Sequence, residues 1–314
     1  MRAPVVIVCL AFWATLSAQQ QPENLRERIR ASQLPPDARE ALAAAFASKN
    51  YARMQEVLDH QPAGPSPHPG ELQALTGDVE FLRGRMDRAD QAFRNAEALA
   101  PLVDSDRFTW AMALVELGDF AGARRQLDLL SSRHPSAPLY IYWLGRIDYY
   151  QRLYDAAVEK FNRVIALDPT SARAYDNLGL SFDMLGRSGE AREALEKAVE
   201  LNRKLAEPSA WPPHNLGYLE VRLEQFKDAE KALRESLKYD PHLAIAHYHL
   251  GRALEGDGRD AEAIEEYRAA VASKPRAVEA LYSLGLLYRR HGRTAEADAA
   301  FSEYRKLKAE SPQN

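Results

Sequence analysis

AYDNLGLSFDMLGRSGEAREALEKAVELN, residues 174–202, decides the fold, because its slots return along the 314-residue chain at a fixed step. Gly179 has counterparts at Gly145, Gly217, Gly251 and Gly285, and backwards at Ala111 and Gly77. The step is 34 residues throughout, except from Gly179 to Gly217, where it is 34 plus an insertion of four. Ala191 belongs to a second small slot, filled elsewhere by Ala89, Ala123, Ala157, Ala229, Ala263 and Ala297. A 34-residue period signifies stacked supersecondary units, each contacting its neighbours, in place of one globular core.

Glycine inside a helix costs ~1 kcal/mol relative to alanine, so a recurring glycine predicts close approach of two helices at that point in every unit. One turn past each alanine stands a large residue: Phe93, Leu127, Phe161, Leu195, Leu233, Tyr267 and Phe301. The two share a face that fills the space beside the contact. Proline then ends the second helix at Pro101, Pro135, Pro169, Pro241 and Pro275, because it lacks the N–H and disfavours helix in the residue before it. Between the helices lie Gly84, Gly118, Gly186, Gly258 and Gly292, suited to a left-handed helix end. Each unit therefore reads as helix–turn–helix.

Tyr175, Leu178, Gly179, Phe182, Gly186, Ala191, Leu195 and Ala198 give this chain a specific resemblance to the tetratricopeptide repeat family, over about residues 70–309. The resemblance implies an all-α, right-handed superhelical solenoid of seven units. A degenerate unit with a proline-rich linker is expected at 35–69, where Leu42, Tyr51, Met54 and Leu58 keep the hydrophobic spacing and Pro62, Pro65, Pro67 and Pro69 follow. That unit is read as loosely tethered. Residues 19–34 read as an N-terminal linker whose order is left open by a short amphipathic stretch (Leu25, Ile29), and 310–314 as a tail. The insertion falls near 206–209; Arg203 replaces the usual proline, so the preceding helix is expected to run to about Leu205, and Pro212-Pro213 to open the next. Asp148 and Glu220 stand where the family's first helix carries an aromatic, which predicts looser packing there. Tyr304 fills a slot held by Ala96, Ala198, Ser236 and Ala270, so the last helix is expected to cap the array and leave it monomeric.

The first eighteen residues are a separate object. One basic residue, Arg2, precedes an apolar run from Ala3 to Leu16, and small residues lead to Ala18. That is the anatomy of a cleaved secretory signal peptide, since fourteen apolar residues fall short of the ~20 that span a bilayer. The expected location is secreted or periplasmic, with no stable membrane span. Cys9, the one cysteine, lies inside the apolar run, so the mature chain would have none. Without Arg2 the chain holds 40 basic against 45 acidic residues, with both signs interspersed. Nothing resembles the basic stripe of a nucleic-acid binder.

The usual catalytic arrangements are absent from the sequence: no thiol nucleophile in the mature chain, no Gly-x-Ser-x-Gly elbow, no phosphate loop. His242, His247 and His249 are the nearest approach to a metal set, but His247 and His249 point to different faces of one helix. No enzyme activity, cofactor or metal is expected. What remains is a surface. The stripe opposite the buried side of the first helices carries Phe108, Tyr142, Trp143, Tyr149, Tyr150, Trp211, Tyr218, Tyr248 and Tyr282, with Arg146, Arg252, Asp176 and His214 beside them. Tyrosine, tryptophan and arginine together are the composition of binding hot spots. Asn177 and Asn215 occupy one slot in consecutive units, where an amide ladder could pair with the backbone of an extended peptide. The candidate groove is Tyr142, Trp143, Arg146, Tyr149, Asp176, Asn177, Trp211, Asn215, Tyr218, Tyr248 and Arg252. The resemblance implies a protein or peptide partner; a glycan or cell-wall strand stacked on the aromatic faces is the alternative.

Overall fold

The computed structural model describes residues 25–61, 69–274 and 277–310. The expected signal peptide, most of the proline-rich linker and the tail beyond 310 lie outside the described residues. Every regular element among the described residues is helical. They divide into two compact bodies, one ending at Arg152 and one beginning at Leu153. The first holds α1 (residues 25–31), α2 (Pro36–Ala47), α3 (Tyr51–Asp59), α4 (Pro69–Leu82), α5 (Met86–Leu99), α6 (Asp104–Glu116), α7 (Phe120–Arg133) and α8 (Pro138–Tyr150). The second holds α9 (Tyr154–Leu167), α10 (Ala172–Met184), α11 (Ser188–Asn202), α12 (Trp211–Arg222), α13 (Phe226–Tyr239), α14 (Ala244–Gly256), α15 (Asp260–Ser273), α16 (Val278–Arg290) and α17 (Thr294–Glu310). Within each body a first helix packs on its own second helix, and second helices pack on the next first helix. First helices of consecutive units also touch, as α4 with α6, α10 with α12 and α12 with α14.

The recurring glycine is required by the large residue sixteen positions on. A Cβ built at Gly179 would lie 2.6 Å from Leu195 Cγ and 3.0 Å from the Ala191 carbonyl oxygen. The same geometry holds at Gly217 against Leu233, Gly251 against Tyr267 and Gly285 against Phe301. Leu195, Leu233 and Tyr267 are fully buried, each contributing ~1.5–3 kcal/mol by removal from water. The helix-linking glycines 84, 118, 186, 258 and 292 all have φ between 69 and 76°. Arg152 and Glu224 hold the same slot in their units and are forced to φ 62 and 57°.

Four expectations need correction. The residues before α2 are not all linker: 25–31 are helical, and Leu25, Ile29 and Leu34 are buried with Leu42, Met54 and Leu58. The degenerate unit is not loosely held, because this same core continues onto Leu75 and Val79 of α4. Arg28 of α1 further ion-pairs with Asp78 of α4 and Asp106 of α6. Helix α11 stops at Asn202 rather than Leu205, since the Asn202 side chain closes the insertion. Its Nδ2 donates to the Ser209 carbonyl and its Oδ1 accepts from the Ser209 N–H, both at 2.8 Å. Finally, Asp148 and Glu220 do not loosen their units. Both are buried against an arginine on the preceding second helix, Arg124 of α7 and Arg192 of α11, two positions at one repeat slot. At the α11–α12 junction the pair is bidentate, with both contacts at 3.1 Å. Tyr304 lies half-buried on α17, its ring 5.2 Å from that of Tyr282.

Candidate functional site

In the N-terminal body the candidate residues lie on α8, which opens with Pro138 in its first turn. The Arg146 guanidinium sits over the rings of Trp143, at 5.4 Å, and Tyr150, at 4.9 Å, and its Nη1 donates to the Tyr142 hydroxyl at 3.3 Å. Tyr142 meets Trp143 edge-on at 5.8 Å, and Tyr149 meets Tyr150 at 6.3 Å. Tyr142 and Arg146 are buried, whereas Trp143 and Tyr149 keep an accessible edge. Such cation–ring stacks help hold a guanidinium in place, and the Glu116 carboxylate interacts with it as well.

In the C-terminal body the first helices α10, α12 and α14 bring the remaining candidates together. Asn177 and Asn215 do occupy one slot in consecutive units, but they are buried, and their amides are committed inside the protein. Asn215 Nδ2 donates to Asp176 Oδ1 and Oδ2 at 2.9 and 3.1 Å, and Asn177 Nδ2 donates to the Arg173 carbonyl at 2.9 Å. The chain continues from Asn215 Oδ1 to His214 Nδ1 at 3.0 Å, and from His214 Nε2 to His249 Nδ1 at 3.0 Å. Asp176, His214, Asn215 and His249 thus form one buried polar line across three first helices. Burial holds His214 down at about 4; burial, the neighbouring His214 and the Arg252 guanidinium hold His249 down at about 2. The rings of Tyr218, at 4.7 Å, and Tyr248, at 5.3 Å, cover His249, and Trp211 meets His214 edge-on at 5.5 Å. Trp211, Tyr218, Tyr248 and Arg252 remain half-exposed.

Beside this line opens a cleft of about 450 Å³, lined by Val221, Arg222, Glu224, Phe226, Arg252, Glu255 and Gly256. Arg222 is ion-paired with Asp183, and Glu255 accepts from the Tyr267 hydroxyl at 2.9 Å and from Arg290 at 3.1 Å. Arg252 makes no hydrogen bond or ion pair among the described residues. Reading the first-helix stripe alone missed Phe226, which opens α13. The signal was the pairing of a small residue with a large one: a Cβ at Gly256 would lie 2.4 Å from Phe226 Cε1. Among the described residues no group of three or more His, Cys, Asp or Glu could hold a metal ion, and no helix is long and apolar enough to cross a membrane.

Comparison with known proteins agrees with this architecture. The family model described as "Tetratricopeptide repeat" matches residues 108–172, 142–206, 214–277 and 261–314. BBSome complex member BBS4 of Mus musculus is 33% identical over 132 residues, 42% of this chain and 24% of that protein. The Hsp70-Hsp90 organising protein of Plasmodium falciparum is 34% identical over 101 residues, 32% of this chain and 38% of that protein. The chain thus spans well under half the length of these relatives. The structure of MamA 41-end from Desulfovibrio magneticus RS-1 superposes with a TM-score of 0.50 at 18% identity, covering 56% of this chain and 97% of that one, a likeness of fold. With the family model covering more than half of the chain and the helix pairs repeating at its period, this protein belongs to the tetratricopeptide repeat family.

Proposed function

We propose that the chain is a non-enzymatic scaffold, acting outside the cytoplasm, that holds an extended polypeptide segment against the first helices of its C-terminal body. Tetratricopeptide repeats generally mediate protein–protein interaction. The observation that carries the reading is the Arg252 guanidinium, which lines the cleft without a hydrogen bond or ion pair among the described residues, one turn from Tyr248 on α14, while Arg222 across the cleft lies over the Tyr218 ring. A planar donor fork beside aromatic edges suits a carbonyl or carboxylate of a bound chain. Asp176 and Asn215 tie α10 to α12 beneath and Asn177 is spent on its own helix, so contact falls to Trp211, Tyr218, Tyr248 and Arg252. On the N-terminal body the accessible edges of Trp143 and Tyr149, over buried Tyr142 and Arg146, offer a face of similar composition.

The test is capture of partners from the exported fraction on the mature chain, followed by titration of each with Trp211→Ala, Tyr218→Ala and Arg252→Ala. Each anchor is expected to cost ~1–4 kcal/mol of affinity. A polysaccharide ligand would weaken with Trp211 and Tyr218 and tolerate the loss of Arg252. Partners bound undiminished by the triple variant would rule these first helices out as the binding face. The location is tested by N-terminal sequencing of exported protein, expected to begin near Gln19; a chain that begins at Met1 in the membrane pellet contradicts it.

A further inference from the structure

Five of the described histidines fall into two kinds. His134, His247 and His291 each meet a carboxylate, Asp104 at 2.6 Å, Glu266 at 2.7 Å and Asp260 at 2.8 Å. Protonation gains such a histidine a counter-ion. His214 and His249 meet each other instead, buried, with ring centroids 5.1 Å apart.

The hydrogen-bond line fixes where their protons are. Asn215 directs its amide hydrogens at Asp176, so its oxygen faces His214 and must accept. His214 therefore carries its proton on Nδ1, and its Nε2 is a lone pair. That lone pair lies 3.0 Å from His249 Nδ1, which must donate. One arrangement satisfies the line, and both rings are neutral in it. A proton added to His214 would oppose N–H to N–H across the helix contact. A proton added to His249 would bury a cation beside the Arg252 guanidinium.

The surroundings offer no relief. From α10, Asp176 is hydrogen-bonded to Asn215, whose oxygen meets His214. Helix α12 supplies the Tyr218 ring, α14 supplies Tyr248 and Arg252, and α15 packs Tyr267 against Tyr248. On α16, Glu279 acts on Tyr248. The buried faces of α11 and α13 carry no ionisable group.

We propose that the His214–His249 pair is an acid-labile joint: falling pH parts α12 from α14 and dismantles the cleft those helices line. The consequence for a bound segment rests on the function proposed above, whereas the joint itself does not. The unfolded rings bind protons below about 6.5 and the closed pair refuses them, so opening is favoured as pH falls, on the order of tenfold per pH unit for each proton taken up.

Imidazole NMR of the full chain tests it without a ligand. Of the eight histidines, two are expected to stay neutral with the proton on Nδ1 until the pH falls below about 5, whereas His247, held up by the Glu266 carboxylate, takes its proton above the usual imidazole value. All rings titrating together, or either buried ring protonated on Nε2 at pH 8, overturns the proposal. Hydrogen exchange supplies a second measurement. Protection of α12 and α14 amides is expected to fall at least tenfold between pH 6.5 and pH 5 in the wild type, and to hold in the double variant His214→Leu, His249→Phe. An equal loss in both proteins overturns the joint; should the variant not fold, the wild-type titration decides.

Discussion

Two kinds of residue in this chain answer to backbone geometry alone. At Gly179 even a methyl group would lie 2.6 Å from Leu195 Cγ and 3.0 Å from a carbonyl that cannot swing away. Gly179→Ala is expected to cost ~1–3 kcal/mol, while Glu193→Gln on the exposed side of α11 stays within ~0.5 kcal/mol; urea denaturation of both variants compares them. Glu224 is the converse case. It is exposed and holds φ 57° at a slot where the neighbouring units place glycine. Glu224→Gly is therefore expected to stabilise by ~0.5–1 kcal/mol, seen as a raised urea midpoint, because the left-handed strain is removed at a site that loses no buried contact.

Among the helix pairs, the informative feature is how each second helix meets the next first helix. Two junctions carry an arginine against a buried carboxylate, Arg124 with Asp148 and Arg192 with Glu220. At the same two slots other units carry Val158 with Phe182 and Ile264 with Tyr288. Burial raises the Glu220 carboxyl, and Arg192 offsets this. Removing the arginine alone strands the charge. Arg192→Met is expected to destabilise toward the lower end of ~3–5 kcal/mol, since the arginine keeps some solvent, whereas Arg192→Val with Glu220→Phe should be neutral or stabilising by ~1–4 kcal/mol. A double-mutant cycle in urea checks the pair; a double variant no more stable than Arg192→Met would show that the slots are not interchangeable.

Across the whole molecule, acid acts with opposite sign on one buried cluster in each body. In the N-terminal body, burial and the neighbouring Asp78 push Asp106 up to about 7 despite Arg28. The native state then binds a proton that the unfolded chain releases near pH 4, so this body gains stability as pH falls from about 7 to about 4. The buried histidines of the C-terminal body are depressed, so their contribution is complete above about 6.5 and is lost toward about 4. Segment-resolved hydrogen exchange at pH 7.5 and 5 should show protection rising in α4 and α6 and falling in α12 and α14; a uniform change would contradict both assignments. Helix pairing, the small slots and the linking glycines were legible in the sequence because each is repeated seven times or nearly so. The candidate site was legible only in part. A 100° step tells which way Asn215 or His214 points along its own helix, but not that Asp176 and His249 arrive from the helices on either side. Order in residues 25–31 was equally hidden, since Arg28 finds its partners on α4 and α6, some fifty and eighty residues away.

The differing chemistry of the junctions also numbers the units. A slip of one repeat during folding, or an unequal exchange between copies of the coding sequence, would set Arg192 against Phe182 or Leu254, or bury Glu220 behind Val158. Each such mispairing strands an ion in the interior, while the correct order strands none. The repeats look interchangeable by period, yet they behave as addressed parts with one permitted sequence of assembly.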